Sequence, residues 1–280
     1  ISSDLLSHSV ATKDDLLKFK LVLNQESVNR NINFPMLGSM TGVTITAGAT
    51  NKLNSSTSPL KLDRIDSKVR FVFKTGTRPD AKGQKIKSFE ARQWKVVNVP
   101  ISSFLVPHDS DATVVPKDPT TDQYESYAPY FFETDWRNFE DYTTETQEFS
   151  FYMLENRQTP KNDKFDSYQE RSLQRKTASG LNQTVNVNYT SLHGEDVSRS
   201  LRVFQNANDF STYVLVTGRV EMDLVNDNAG QTLGADVQYL IHLGNWSSTI
   251  SNTGGWDKDK YTNVKDFNTR RNYSYTYTVT

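Results

Sequence analysis

The chain has 280 residues, which is long enough for one large or two modest domains, each with a core of its own. Its 32 Lys and Arg residues nearly balance 33 Asp and Glu residues, so no overall field would draw the chain to nucleic acid. The sequence contains no cysteine, which excludes disulfides, thiolate catalysis and Cys-ligated metal centres.

The first half of the sequence combines one helix pattern with short strand patterns. Thr12 precedes a run with two acids at its start, which predicts a helix over residues 13–19 with Thr12 as its cap. Strands are predicted at residues 43–46, 68–74 and 94–99, the last ending at Pro100. In the run 68–74 Val69, Phe71 and Phe73 fall on one face, so that side of the strand should face a core.

The second half carries five further strand patterns, at residues 149–154, 184–189, 211–222, 235–243 and 273–279. Short strands separated by turns, with little helix, indicate an all-β sandwich or barrel. Residues 107–130 are rich in Asp, Pro, Thr and Ser, and we place a boundary there between two domains, residues 1–108 and 109–280. The last strand pattern is cut off at Thr280 and the chain starts abruptly at Ile1, so we expect a fragment of a longer polypeptide.

The sequence lacks the complete residue sets of the standard catalytic sites. None of His8, His108, His193 and His242 has a partner at the spacing of a helical zinc motif, and His242 falls within a predicted strand, where a structural role is favoured. Glu133 and Asp135 stand beside aromatic residues, as a glycosidase or sugar-binding cleft would require, but such pairs are common in loops. We therefore predict no catalytic residue, no enzyme activity and no cofactor.

Two other segments carry residues that could bind a ligand. The loop 254–259 holds Trp256, which could stack on a sugar, and Asp257 and Asp259, which could bind hydroxyl groups or calcium. Two acids supply too few oxygens for calcium, so no metal site is predicted, and these three residues stay a candidate ligand loop whose alternative is a plain loop. The basic residues between Arg171 and Lys176 are predicted to form a solvated loop.

Several phrases of the sequence resemble those of the Bacteroidales fimbrillin-like proteins, the subunits of type V pili, including an associated fimbrial group described as a domain of unknown function. Residues 149–158, 211–220 and 239–244 are similar to three of the family's strands, and residues 33–38 are similar to one of its turns. Residues 266–279 read DFNTRRNYSYTYTV and resemble its closing phrase, which is the most specific of the set. The order of the phrases agrees with the family over most of the chain.

The resemblance implies two β-sandwich domains in tandem, of the transthyretin-like or Greek-key kind, with the first domain truncated at its start. It also implies a lipoprotein exported to the outer membrane and trimmed by proteolysis, which serves as an accessory, tip or stalk subunit of a fimbria. Its partners would be other fimbrial subunits, joined by β-strand donation, together with ligands on host or bacterial surfaces.

Two other functions stay open on the sequence alone. A cell-surface carbohydrate-binding module would share the sandwich fold and would lose glycan binding on substitution of Trp256 or Trp136. A β-sandwich glycoside hydrolase would need a cleft with two convergent carboxylates about 5–10 Å apart. No stretch of the sequence reaches the roughly 20 apolar residues of a membrane-spanning helix, and residues 1–10 have neither the basic leader nor the apolar core of a signal peptide.

Overall fold

The computed structural model describes residues 10, 12–22, 28, 34–51, 59–74, 85–107, 124–139, 146–224, 230–246 and 263–280. In this part of the chain the structure is mostly β-strand with little helix, as the sequence predicts. The helical segments are α1 (Lys13–Lys18), α2 (Tyr124–Tyr127), α3 (Tyr168–Arg171) and a 3-10 turn (Ala128–Tyr130). The strands are β1 (Lys20–Val22), β2 (Met36–Leu37), β3 (Asp63–Arg64), β4 (Asp66–Lys74), β5 (Lys85–Val97), β6 (Val99–Pro100), β7 (Ser102–Phe104), β8 (Phe131–Phe132), β9 (Arg137–Asn138), β10 (Thr146–Leu154), β11 (Thr184–Thr190), β12 (Asp196–Arg202), β13 (Tyr213–Asp223), β14 (Thr232–His242) and β15 (Ser274–Val279).

Two of the sheets pack face to face as a β-sandwich. One has the strand order β10, β4, β15 and the other the order β14, β13, β5, β9. Neighbouring strands are antiparallel except β15 and β4, which run parallel. Apolar side chains of both sheets meet in one core, to which the first sheet contributes Val69, Phe71, Phe73 and Phe151, and the second Trp94, Val96, Val214 and Val216.

Aromatic rings form much of this core. The rings of Trp94 and Phe149 stack across the two sheets with their centroids 4.0 Å apart and their planes 10° apart. Phe71 stacks on Phe149 at 5.1 Å and on Tyr277 at 4.9 Å. Such pairs add about 0.5–1.5 kcal/mol each beyond the burial of their area. A chain with only 35% hydrophobic residues can build a stable core in this way because its apolar residues are large.

The sandwich combines strands from the two halves of the chain. β4 lies between β10 and β15, and β5 lies between β13 and β9, so both sheets join strands that precede residue 108 to strands that follow it. The two predicted domains, residues 1–108 and 109–280, are thus linked by backbone hydrogen bonds, whereas domain boundaries are usually crossed by few contacts. The described residues contain this one face-to-face sandwich, and the division into two tandem domains stays a prediction.

Helix α1 has the predicted cap. The Thr12 hydroxyl accepts a hydrogen bond from the Asp15 backbone N–H at 3.2 Å, and the Asp15 carboxylate accepts one from the Thr12 N–H at 2.9 Å. This reciprocal pair satisfies two N–H groups that would otherwise have no partner at the start of the helix.

The strand predictions and the structure differ in several places. The strand predicted at residues 43–46 is wrong: this segment is an exposed loop, stabilised where Asn51 accepts a hydrogen bond from the Thr46 N–H at 2.9 Å. The run predicted at 94–99 is split, because Asn98 has a φ of 57° and ends β5, and Pro100 belongs to β6. Strand β12 was missed since its inward residues include a charged side chain, Arg199, and the pattern lacks clear apolar alternation.

A smaller core lies beside the sandwich. The antiparallel pair β11 and β12 packs over helix α2 through Tyr124, Tyr127, Phe131, Val187, Leu201 and Phe210. Asp209 anchors the segment beneath this core. Its carboxylate accepts hydrogen bonds from the Tyr124 hydroxyl and the Lys161 ammonium, and from the Phe204 N–H at 2.8 Å.

Candidate functional site

Strand β15 lies at one edge of the three-stranded sheet. Its six residues run parallel to β4, from Ser274 opposite Lys68 to Val279 opposite Phe73. On its outer side no strand pairs with it among the residues that the structure describes. An edge strand presents backbone N–H and C=O groups that another strand can join. The outer side of β15 is therefore a candidate surface for strand pairing.

The hydrogen bonds show which backbone groups face this edge. The Lys68 N–H donates to the Tyr273 carbonyl at 2.9 Å, so the Tyr273 carbonyl points at β4. Backbone groups alternate in direction along a strand, so those of Tyr275 and Tyr277 also point at β4. The N–H and C=O groups of Ser274, Thr276 and Thr278 point to the free edge.

The side chains of β15 anchor it to the sandwich. Tyr275 and Tyr277 are buried at 7% and 9% exposure. The Tyr277 hydroxyl donates to the Gly244 carbonyl at 2.6 Å and accepts from the Gly244 N–H at 2.8 Å, and burial raises its pKa above the ordinary value of 10. β15 is held in place by its own chain, while no other described strand pairs with its outer edge.

The turn before β15 is fixed by a buried ion pair. Arg271 Nε donates to Glu155 Oε1 at 2.5 Å, and the two side chains are only 10% and 2% exposed. The other Arg271 nitrogens donate to the Leu105 carbonyl at 3.0 Å and the Phe104 carbonyl at 2.8 Å. One guanidinium thus joins the turn before β15 to the residues that follow β10 and to the end of β7.

A second arginine is buried beneath the sandwich. Arg171 is 1% exposed, and its guanidinium donates to the carbonyls of Leu243, at 2.9 Å, and Val264. Its cation contacts the rings of Phe267 at 4.2 Å and Trp246 at 4.7 Å. Desolvation lowers the pKa of Arg171 to about 9, so it stays charged at neutral pH. The prediction of a solvated loop is therefore wrong for Arg171, which holds together segments 21 residues apart.

His242 is buried close to this cation. It is 1% exposed, its Nδ1 lies 3.1 Å from the Ser172 hydroxyl, and its ring contacts that of Phe204 at 4.5 Å. Burial, with a smaller contribution from the Arg171 charge, lowers the pKa of His242 well below its ordinary value of 6.5. The structural role predicted for His242 agrees with this position.

We expect this histidine to make the fold sensitive to acid. Below about pH 6.5 the unfolded chain protonates His242 while the folded chain keeps it neutral, so stability is present above that pH and is lost as the pH falls. The free energy of unfolding should fall by up to about 1.4 kcal/mol for each pH unit below that value. Urea unfolding of wild type and His242→Phe between pH 7.5 and 5 measures it, with the exposed His193→Phe as a matched control. Parallel profiles for wild type and His242→Phe would contradict the assignment.

The two acids that stand beside aromatic residues, Glu133 and Asp135, have different surroundings. Glu133 lies 3.1 Å from Lys95 Nζ and 3.9 Å from Arg199 Nε, so its carboxylate is engaged by two cations. Asp135 is exposed. Trp136, beside it, is 39% exposed and carries the Lys95 ammonium 5.2 Å above its ring.

The candidate ligand loop, Trp256, Asp257 and Asp259, lies outside the described residues, as do His8 and His108. Across the described ranges, no group of three or more His, Asp or Glu side chains could hold a metal ion. No helix in those ranges is long and apolar enough to cross a membrane.

Comparison with known proteins finds similar solved structures. No family model and no curated protein matches the chain. Among solved structures, the chain is similar to a tip fimbrial protein from Porphyromonas gingivalis with a C-terminal truncation, at a TM-score of 0.45 and 14% identity over 99% of this chain and 70% of that one. It is also similar to a protein from Parabacteroides distasonis described as a cell adhesion protein, at a TM-score of 0.42 and 14% identity over 96% and 70%. Likeness at this level does not carry a function or a site from one protein to another.

Proposed function

We propose that this chain is a structural and adhesive subunit of a bacterial surface fimbria, in an accessory, tip or stalk position. It is exported to the cell surface as an outer-membrane lipoprotein and is trimmed by proteolysis before assembly. Its partners are other fimbrial subunits, which it joins by β-strand donation, and ligands on host or bacterial surfaces. The observation that carries this proposal is the outer edge of β15, with which no strand pairs in the described part of the chain.

The physical case rests on what an added strand would gain. Ser274, Thr276 and Thr278 direct three N–H and three C=O groups to that edge, and an added strand would pair them through backbone hydrogen bonds. β15 itself is prepared for this, because Tyr277 and the Arg271 anchor fix its position. A preordered acceptor loses little conformational entropy on binding.

The surroundings of the acidic and buried charged residues support a structural function rather than catalysis. The Glu133 carboxylate is engaged by Lys95 and Arg199, and Asp135 is exposed, so ion pairing and solvent account for the two acids that stand beside aromatic residues. The buried groups, Arg171 and His242, contact backbone and aromatic rings and stabilise the fold.

A single edge substitution should separate assembly from folding. Thr276→Pro removes an N–H that points to the free edge while leaving the β4 ladder intact, and proline is tolerated at such positions. We expect it to abolish filament formation by the full-length protein, purified from its native cell surface and incubated with its maturing protease, as seen by electron microscopy. Thr276→Val, which keeps the N–H and favours a strand, is the matched control and should polymerise like wild type.

Filament formation by the two Thr276 variants tests the proposed assembly surface. Circular dichroism and urea unfolding of the Thr276→Pro protein establish that its fold is kept. If the folded proline variant forms filaments as readily as Thr276→Val, the edge of β15 is not the assembly surface. If the wild-type protein never joins a filament under these conditions, the fimbrial proposal itself fails.

A further inference from the structure

A polar trough crosses the outer face of the four-stranded sheet, on the side turned away from the sandwich core. It has a volume of about 680 Å³ and lies where β5, β13, β14 and β9 come together. Pairing between β13 and β5 shifts register between Thr217 and Gly218, and a bulge of this kind bends and twists a sheet locally. Longer polar side chains surround these two small residues, which makes the depression.

The small residue at the bulge is required there. A Cβ on Gly218 would lie 2.6 Å from the Glu90 carbonyl oxygen and 2.7 Å from the Phe89 ring. The strands approach too closely at this point for any side chain. The irregularity that forms the trough is thus built into the backbone.

The polar side chains at the trough contact one another. Arg92 Nη1 lies 3.2 Å from Asp236 Oδ1, and Arg219 lies 3.5 Å from the same carboxylate oxygen. Gln93 Nε2 donates to Asn138 Oδ1 at 3.1 Å. The Asp236 side chain is 69% exposed, so its carboxylate is open to a bound molecule. The trough presents guanidinium, carboxylate and amide groups together.

Trp136 is not part of the trough's lining but is close in the chain to one residue that is. It precedes Asn138 by two residues, and Asn138 lines the trough. Lys95, whose ammonium lies over the Trp136 ring, follows Gln93 by two residues on β5, and side chains two apart share a face of a strand. The ring is therefore on the same outer face, partly exposed and held by Lys95 and, through it, Glu133.

A polar outer face is normal for an antiparallel sheet, so polarity alone would not mark a site. Two further features do: a volume within the roughly 300–1,000 Å³ of small-molecule sites, and an exposed tryptophan beside it.

We propose that this trough binds a neutral oligosaccharide. Planar amide, carboxylate and guanidinium groups pair with sugar hydroxyls, which are both donors and acceptors, and the apolar face of a sugar ring stacks on an indole. The charges favour a neutral ligand, because the anions that line the trough, Glu90 and Asp236, are matched by Arg92 in the lining and by Arg219, which contacts Asp236 from beside it. This inference goes beyond strand-mediated assembly and does not depend on it.

The first test screens the wild-type protein on an array of defined neutral, sialylated and sulfated oligosaccharides. The strongest neutral oligosaccharide is then titrated by calorimetry into the wild type and its variants. We expect Trp136→Ala to weaken binding by about tenfold or more, Asn138→Ala to weaken it as well, and Trp136→Phe to retain part of it.

A second depression supplies the matched control. A depression of about 370 Å³ is lined by residues of β11 and β12, and Asn188→Ala within it should leave the affinity unchanged. The proposal is overturned if the wild-type protein binds only anionic oligosaccharides on the array or binds none. It is also overturned if Trp136→Ala and wild type bind the neutral oligosaccharide with equal affinity. Filament formation by Trp136→Ala, scored in parallel, should match wild type, so failure of the glycan site and failure of assembly are read separately.

Discussion

Replacing Gly244 with alanine should lower the free energy of unfolding by roughly 3–5 kcal/mol, although the change adds a single methyl group. Gly244 follows β14 and has a φ of 140°, a conformation that side chains rarely adopt. The added Cβ would lie 2.0 Å from the Asp266 carbonyl oxygen and 3.0 Å from the Phe267 Cα. Both neighbours are backbone atoms and cannot rotate away.

The contact is costly because three segments meet at Gly244. Its N–H and C=O both pair with the Tyr277 hydroxyl of β15, and the Leu243 carbonyl before it accepts from Arg171. Moving the backbone to admit a methyl group would break these hydrogen bonds, and a buried polar group without a partner costs about 1–3 kcal/mol.

The measurement is urea unfolding followed by tryptophan fluorescence, with Gly194→Ala as the matched control. Gly194 lies in the turn between β11 and β12 with a φ of 86°, and no atom lies within 4 Å of where its Cβ would be. The control therefore carries the backbone strain without the collision and should cost about 1 kcal/mol. Equal losses in the two variants would show that the contact with Asp266 is not limiting.

The strand patterns of the sequence predicted most of the sandwich, for a physical reason that these residues show. In β4 the side chains of Val69, Phe71 and Phe73 lie two residues apart and all three are buried, while Lys68, Arg70 and Lys74 fall on the opposite face together with Val72. In β15 the same alternation placed Tyr275 and Tyr277 in the core. One buried face gives a strand a period of two that can be read directly from the chain.

Sheet order could not be predicted in the same way. That β15 pairs in parallel with β4, some 200 residues earlier, depends on contacts between segments and leaves no periodic signal in either. The trough arises from the pairing of β5, β9, β13 and β14, so its residues are scattered from Glu90 to Gln238. Trp136 was singled out from the sequence, but its neighbours in the trough were not.

The buried charged side chains were not predicted, because sequence rules assume that charged residues are exposed to solvent. Arg171 belongs to a basic run, and such runs are usually solvated, yet here its guanidinium satisfies two carbonyls and lies against aromatic rings. Gly244 was likewise unremarkable in the sequence. A turn glycine and a crowded glycine look alike until the second segment, residues 266–267, is in place.

Arg271→Met should be the most damaging charge substitution at the base of β15, with an expected loss of about 3–5 kcal/mol. The change leaves the Glu155 carboxylate, only 2% exposed, without its cation, and removes the donor to the Leu105 and Phe104 carbonyls. A buried charge without a partner retains its full desolvation cost. Glu155→Gln should cost less, because the amide oxygen can still accept from Arg271 Nε.

A surface pair of the same two residue types gives the control. Arg70 Nη2 and Glu148 Oε2 are 2.5 Å apart on β4 and β10, but their side chains are 46% and 52% exposed. Arg70→Met should therefore cost no more than about 1 kcal/mol. Both variants are measured by urea unfolding at pH 7, and a cycle with Arg271→Met, Glu155→Leu and the double variant isolates the coupling between the two charges.

The double variant decides the physical cause. If the cost of Arg271→Met comes from the stranded carboxylate, removing that carboxylate as well should recover a large part of the lost stability, even though the hydrogen bonds to Leu105 and Phe104 stay absent. If the double variant is as unstable as the two single losses added together, the charges are not coupled, and Arg271 acts through its backbone hydrogen bonds alone.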